Sequence, residues 1–86
     1  MIYLTQDKLN DAGTEFRQVI ELDPNNTMVH YNLACVYSLK NELKLAVEFL
    51  QKAIKLDKSY IELSKKDPDL DNIRQTPEFQ KLIDSY

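Results

Sequence analysis

Apolar residues recur along the chain at intervals of three and four. Leu9, Ala12, Phe16, Val19 and Ile20 make one stripe, and His30, Leu33, Ala34 and Tyr37 a second at i, i+3, i+4 and i+7. Leu43, Ala46, Val47, Leu50, Ala53 and Ile54 make a third. With 3.6 residues per turn, each set falls on one face of an α-helix. Breakers separate the stripes. Asp23-Pro24-Asn25-Asn26 ends the first helix and starts the second, and Asn41 is placed to cap a third helix beginning near Glu42. Farther on, Ser59-x-x-Glu62 reads as the capping box of a short helix. Asp67-Pro68 and Thr76-Pro77 read as N-cap and first-turn pairs of two more. The pattern predicts an all-α chain.

A longer regularity has a period of 34. Displaced by that amount, Tyr3 falls on Tyr37, Leu9 on Leu43, Ala12 on Ala46, Ile20 on Ile54, Leu22 on Leu56 and Asp23 on Asp57. Phe16 meets Leu50 and Val19 meets Ala53, so the same buried face recurs. His30, Leu33, Ala34, Tyr37, Ala46, Leu50 and Ala53 place residues 27–60 on the pattern W-x2-L-G-x2-Y…A-x3-F…P. His30 stands in place of Trp, Ala34 in place of Gly, and Lys58 where Pro is usual. Tyr3, Ala12, Phe16, Val19 and Pro24 match the last three-quarters of a preceding unit. The chain thus resembles the tetratricopeptide repeat (TPR) family. The resemblance implies one domain of antiparallel helix-turn-helix repeats, an α-solenoid. It divides into an incomplete repeat at 1–26, a complete repeat at 27–60 and a helical C-terminal cap at 61–86. The first helix of the incomplete repeat would survive only as a stub at Ile2–Thr5. Residues 67–83 resemble the D-x-D-L-x-x-L-R-x-x-P-x-F-x-x-L ending of many TPR arrays, with Leu70, Ile73, Phe79, Leu82 and Ile83 turned inward.

Composition narrows the function classes. The chain has 86 residues, 43% apolar and 29% charged, with a net charge of −3, room for one ordinary folded domain. No run approaches the ~18 apolar residues of a membrane span. No signal-peptide pattern is expected, because Met1-Ile2-Tyr3-Leu4 runs straight into Thr5-Gln6-Asp7. The negative balance and the lack of a basic patch argue against nucleic acid. The single cysteine, Cys35, excludes an internal disulfide and fits a reducing, cytoplasmic compartment. The only glycine, Gly13, lies in a helical stretch, so there is no phosphate loop.

Candidate chemistry is sparse. Asp67, Asp69, Asp71 and Glu78 stand at places 1, 3, 5 and 12 of a calcium loop, but Asn72 replaces the glycine of its sharp turn. Beside Pro68 and Pro77 these acids read as helix caps. His30 and Cys35 are five apart, off a shared face, and no other His or Cys completes a zinc site or a nucleophile pair. Asn25-Asn26-Thr27 matches a glycosylation sequon but is also the inter-repeat turn. No metal, cofactor or catalytic residue is expected.

By resemblance, the first helix of a repeat lines a concave groove. In helix 27–39 the face opposite the packing stripe carries Met28, Tyr31, Asn32, Cys35, Ser38 and Leu39. That mixture suits peptide contact and equally suits packing on a neighbouring helix. Tyr31 and Cys35 stand where a chaperone-tail clamp would want Lys and Asn. The expected function is a protein–protein interaction module, a scaffold or adaptor that binds a peptide or partner protein through the groove. The alternative is a structural segment of a longer TPR protein, forming a homo-oligomer through its incomplete N-terminal repeat.

Overall fold

A computed structural model of the chain describes residues 6–86. The expected stub, with Ile2 and Tyr3, lies outside the described residues. Among the described residues six α-helices and one 3-10 turn follow in order, and no strand occurs. The helices are α1 (Gln6–Leu22), α2 (Thr27–Leu39), α3 (Leu43–Leu56), α4 (Tyr60–Ser64), α5 (Asp71–Arg74) and α6 (Pro77–Asp84). The 3-10 turn, Pro68–Leu70, leads directly into α5.

The helices divide by how much of their circumference is apolar. α2 is buried on nearly every side: nine of its 13 residues are buried, His30 and Ser38 among them. A helix apolar all round belongs in the centre of a domain, and α2 packs against α1, α3 and the C-terminal turn. α3 is amphipathic. Ala46, Leu50, Ala53 and Ile54 are fully buried while Lys44, Glu48, Gln51, Lys52 and Lys55 face water. Small Ala34, Ala46 and Ala53, each 0% exposed, line the pair. α1 lays Leu9, Gly13, Phe16 and Ile20 toward the core and leaves Val19 and Leu22 exposed.

Turn chemistry sets the boundaries. Asn26 adopts an extended backbone and its side chain accepts the Val29 N–H at 3.2 Å, closing the start of α2. Asn41 does not cap α3 as its sequence position predicts. It is the left-handed residue that ends α2, at φ 62°. The Asn41 N–H donates to the Ser38 carbonyl at 3.0 Å and the Glu42 N–H to the Tyr37 carbonyl at 2.8 Å. This pair of bonds is a Schellman closure, and Asn fills it because its short polar side chain tolerates positive φ. Glu42 precedes α3 without a side-chain cap bond. Ser59 makes no cap bond either. Asp57 does that work, accepting the Ser59 N–H at 3.0 Å, which holds its carboxyl below the usual range.

The C-terminal segment joins the same core. Leu70, Ile73, Phe79 and Leu82 are buried among Leu33, Leu50 and Ile54, and Ile83 packs at the margin. Each fully buried side chain of this size contributes roughly 1.5–3 kcal/mol. Asp67 caps the 3-10 turn by accepting the Asp69 N–H at 3.0 Å, and Thr76 caps α6 by accepting the Phe79 N–H at 3.3 Å. Arg74 pairs with Asp71 and donates to the carbonyls of Asp67 and Ser64, tying the turn to α4.

Candidate partner-binding site

The groove-side residues of α2 lie in two environments. Tyr31, Cys35 and Ser38 are buried, Asn32 and Leu39 are half-buried, and Met28 is 63% exposed. The cover over the buried three comes from the chain's own C-terminal segment. The Tyr31 hydroxyl donates to Asp67 Oδ2 at 2.7 Å, and its ring lies 4.8 Å from that of Tyr60. Asn72 Nδ2 donates to the Ser38 carbonyl at 3.0 Å. Residues 60–73 therefore fill much of the face that the helix pattern left open, and Met28 and the edges at Asn32 and Leu39 are what remains open to solvent.

Under that cover lies a polar corner. Atoms of Cys35, Asp67 and Asp69 lie within 4.8 Å of one another. Burial, and then the charges of Asp67 and Asp69, push the Cys35 thiol up to about 12. Burial, and then the Asp67 bond, raise Tyr31. Burial and the adjacent Asp67 also raise Asp69. Both Asp67 oxygens are already engaged, Oδ1 by the Asp69 N–H and Oδ2 by Tyr31. With a protonated thiol as third member, the corner is a hydrogen-bonded helix start. The acids of the calcium-loop spacing are dispersed into helix starts: Asp67 and Asp69 at the 3-10 turn, Asp71 at α5 and Glu78 in the first turn of α6.

His30 occupies the Trp position as a buried ring, 6.0 Å from and roughly parallel to Phe49. Its Nε2 lies 2.7 Å from the Pro24 carbonyl. Phe49 stacks in turn on Tyr37 at 5.6 Å. Arg17 donates to the Tyr37 hydroxyl, and Arg17 and Lys40 sit 5.3 and 5.7 Å from the Tyr37 ring centroid, within cation–π range. No helix of the described residues is long and apolar enough to cross a membrane.

The α2–α3 pair is that of a known repeat class. The tetratricopeptide repeat models match residues 28–60 and 1–26, and the chain belongs to the TPR family. It is 27% identical over 82 residues, 92% of its length, to a chloroplastic protein of Arabidopsis thaliana. It is 28% identical over 92 residues, 86% of its length, to the Hsp70-Hsp90 organising protein of Plasmodium falciparum. The chain spans only 24% and 16% of those proteins. No solved structure matches it significantly.

Proposed function

We propose that the chain is a non-catalytic adaptor segment that holds a peptide or partner protein against the groove side of α2. The observation that carries this is the exposed Met28, 63% open, on the same centrally packed helix as the half-buried Asn32 and Leu39. Tyr31, Cys35 and Ser38 join such a contact only where residues 60–73 give way. Residues 61–86 act as the helical cap of the domain. The name of the Plasmodium relative describes a protein that organises two chaperones, which supports an assembly role of this class. Tyr31 and Cys35, in place of the Lys and Asn of a tail clamp, direct this chain to a different ligand. The single buried thiol is in keeping with a cytoplasmic setting. Met28→Asp provides the test: it should abolish binding of peptides selected on the wild-type chain and leave the melting temperature within a degree or two. Undiminished binding would remove the groove side of α2 as the site.

A second reading is self-association through α1, favoured by Val19 and Leu22, 37% and 90% exposed. Light scattering at micromolar concentration decides between them. A dimer that Leu22→Asp dissociates supports this reading, and a monomer ends it.

A further inference from the structure

We propose that Leu22, with the acids on either side of it, docks into the cleft between the ends of α1 and α3 on a second copy of this chain. The inference rests on the reading of α1 as a self-association surface and names the surface that receives it. Leu22 is 90% exposed, more than any other large apolar side chain among the described residues. It is the last residue of α1 and stands between Glu21 and Asp23. Ile20 packs at the margin of the core. Residues two apart on a helix point to opposite sides, so Leu22 is directed away from the packing that Ile20 joins. A leucine left in water forgoes its burial, and exposed apolar surface of this kind marks contact sites.

Charge supplies the second observation. The carbonyl end of a helix favours cations. α1 instead closes on two carboxylates, and its last turn carries no basic residue. Neither Glu21 nor Asp23 forms an ion pair among the described residues. The end of α1 thus has an unmet preference for ammonium groups, set around an unburied leucine.

The cleft is the complement of that end. It measures about 340 Å³ and lies where the ends of α1 and α3 meet the turn at Pro24 and Asn25. Ile20 and Leu56 give it apolar walls, and Leu56 is 43% exposed. Lys52 and Lys55 supply two ammonium groups, and no carboxylate lines it. Both lysines are exposed, and neither forms an ion pair among the described residues. A leucine between two carboxylates therefore meets an apolar cleft beside two ammonium groups, and every copy carries both halves. Docking buries Leu22 on Leu56 and Ile20 and brings lysines to the carbonyl end of α1.

Charge exchange, read by light scattering over a concentration series, tests the contact. The wild-type mass should rise with concentration above that of one chain, and high salt should lower it. One variant carries Lys52→Glu with Lys55→Glu, the other Glu21→Lys with Asp23→Lys. All four side chains are exposed, so both variants should keep the helical melt. Each alone sets like charges against one another and should raise the dissociation constant about tenfold or more. An equimolar mixture of the two puts opposite charges back at every contact and should associate as wild type does. Association lost in Leu22→Asp but unchanged in the charge variants, or not restored by mixing them, would overturn the cleft as the receiving surface and leave self-association through α1 standing. A wild-type chain that stays monomeric throughout would end both.

Discussion

Replacing Tyr31 by Phe removes one oxygen and leaves the ring, with its 4.8 Å approach to Tyr60, in place. What is lost is a 2.7 Å bond from a buried hydroxyl to a carboxylate. A hydrogen bond to a charged group contributes about 1.5–3 kcal/mol. Asp67 is half-buried, so water recovers part of that. A cost of about 1–2 kcal/mol remains, or a melting temperature lower by roughly 5–15 °C for a domain of this size. Urea denaturation followed by circular dichroism should show the midpoint falling with an unchanged slope, because the buried area stays nearly constant. Asp67→Ala removes both this bond and the cap on Asp69, so its cost alone is ambiguous. The double variant resolves it: the two costs should fail to add by about 1 kcal/mol or more. An unchanged midpoint in Tyr31→Phe, or strict additivity, would show that the bond does not hold the C-terminal segment on α2.

Other substitutions probe other contacts. Ala46 is 0% exposed, so Ala46→Leu should overpack the pair and cost about 1–3 kcal/mol in urea denaturation. Gly13 sits inside α1, where an added Cβ would meet only Val36 Cγ1, at an ordinary 3.6 Å. Gly13→Ala should therefore raise stability by about 0.5–1 kcal/mol on the same assay. The Cys35 thiol is raised from 9.0 to about 12. The unfolded chain gives up this proton first, so the stabilisation is complete below pH 9 and fades as pH rises toward 12. Between pH 8 and 10 wild type should lose about 1 kcal/mol more than Cys35→Ala in matched melts.

The helices were legible because their apolar spacing is local, and the 34-residue period located both repeats. Two caps were misread. Asn is a good N-cap and also a good left-handed residue, and the sequence at Asn41 does not say which. Only the bonds to Ser38 and Tyr37 decide it. Ser59 lost its role to Asp57, two residues earlier. The inward residues of the C-terminal segment were readable from Leu70 to Ile83, but the surface they would meet was not. Tyr31, Cys35 and Ser38 suit a peptide groove and an interior equally well, and contacts across 34 and 36 residues settle their burial.

The cover over α2 also has a lifetime. The contacts of α2 with α3 join neighbours in the chain, whereas Asn72 reaches back 34 residues to Ser38 and Asp67 reaches back 36 to Tyr31. Long loops close late in folding, and segments held by such contacts open before the rest. Cys35 lies beneath that segment, against Asp67 and Asp69. Its rate of reaction with a thiol reagent, divided by the rate in the unfolded chain, is then the fraction of time the segment stands open. The chain carries its own stopwatch in its one sulfhydryl.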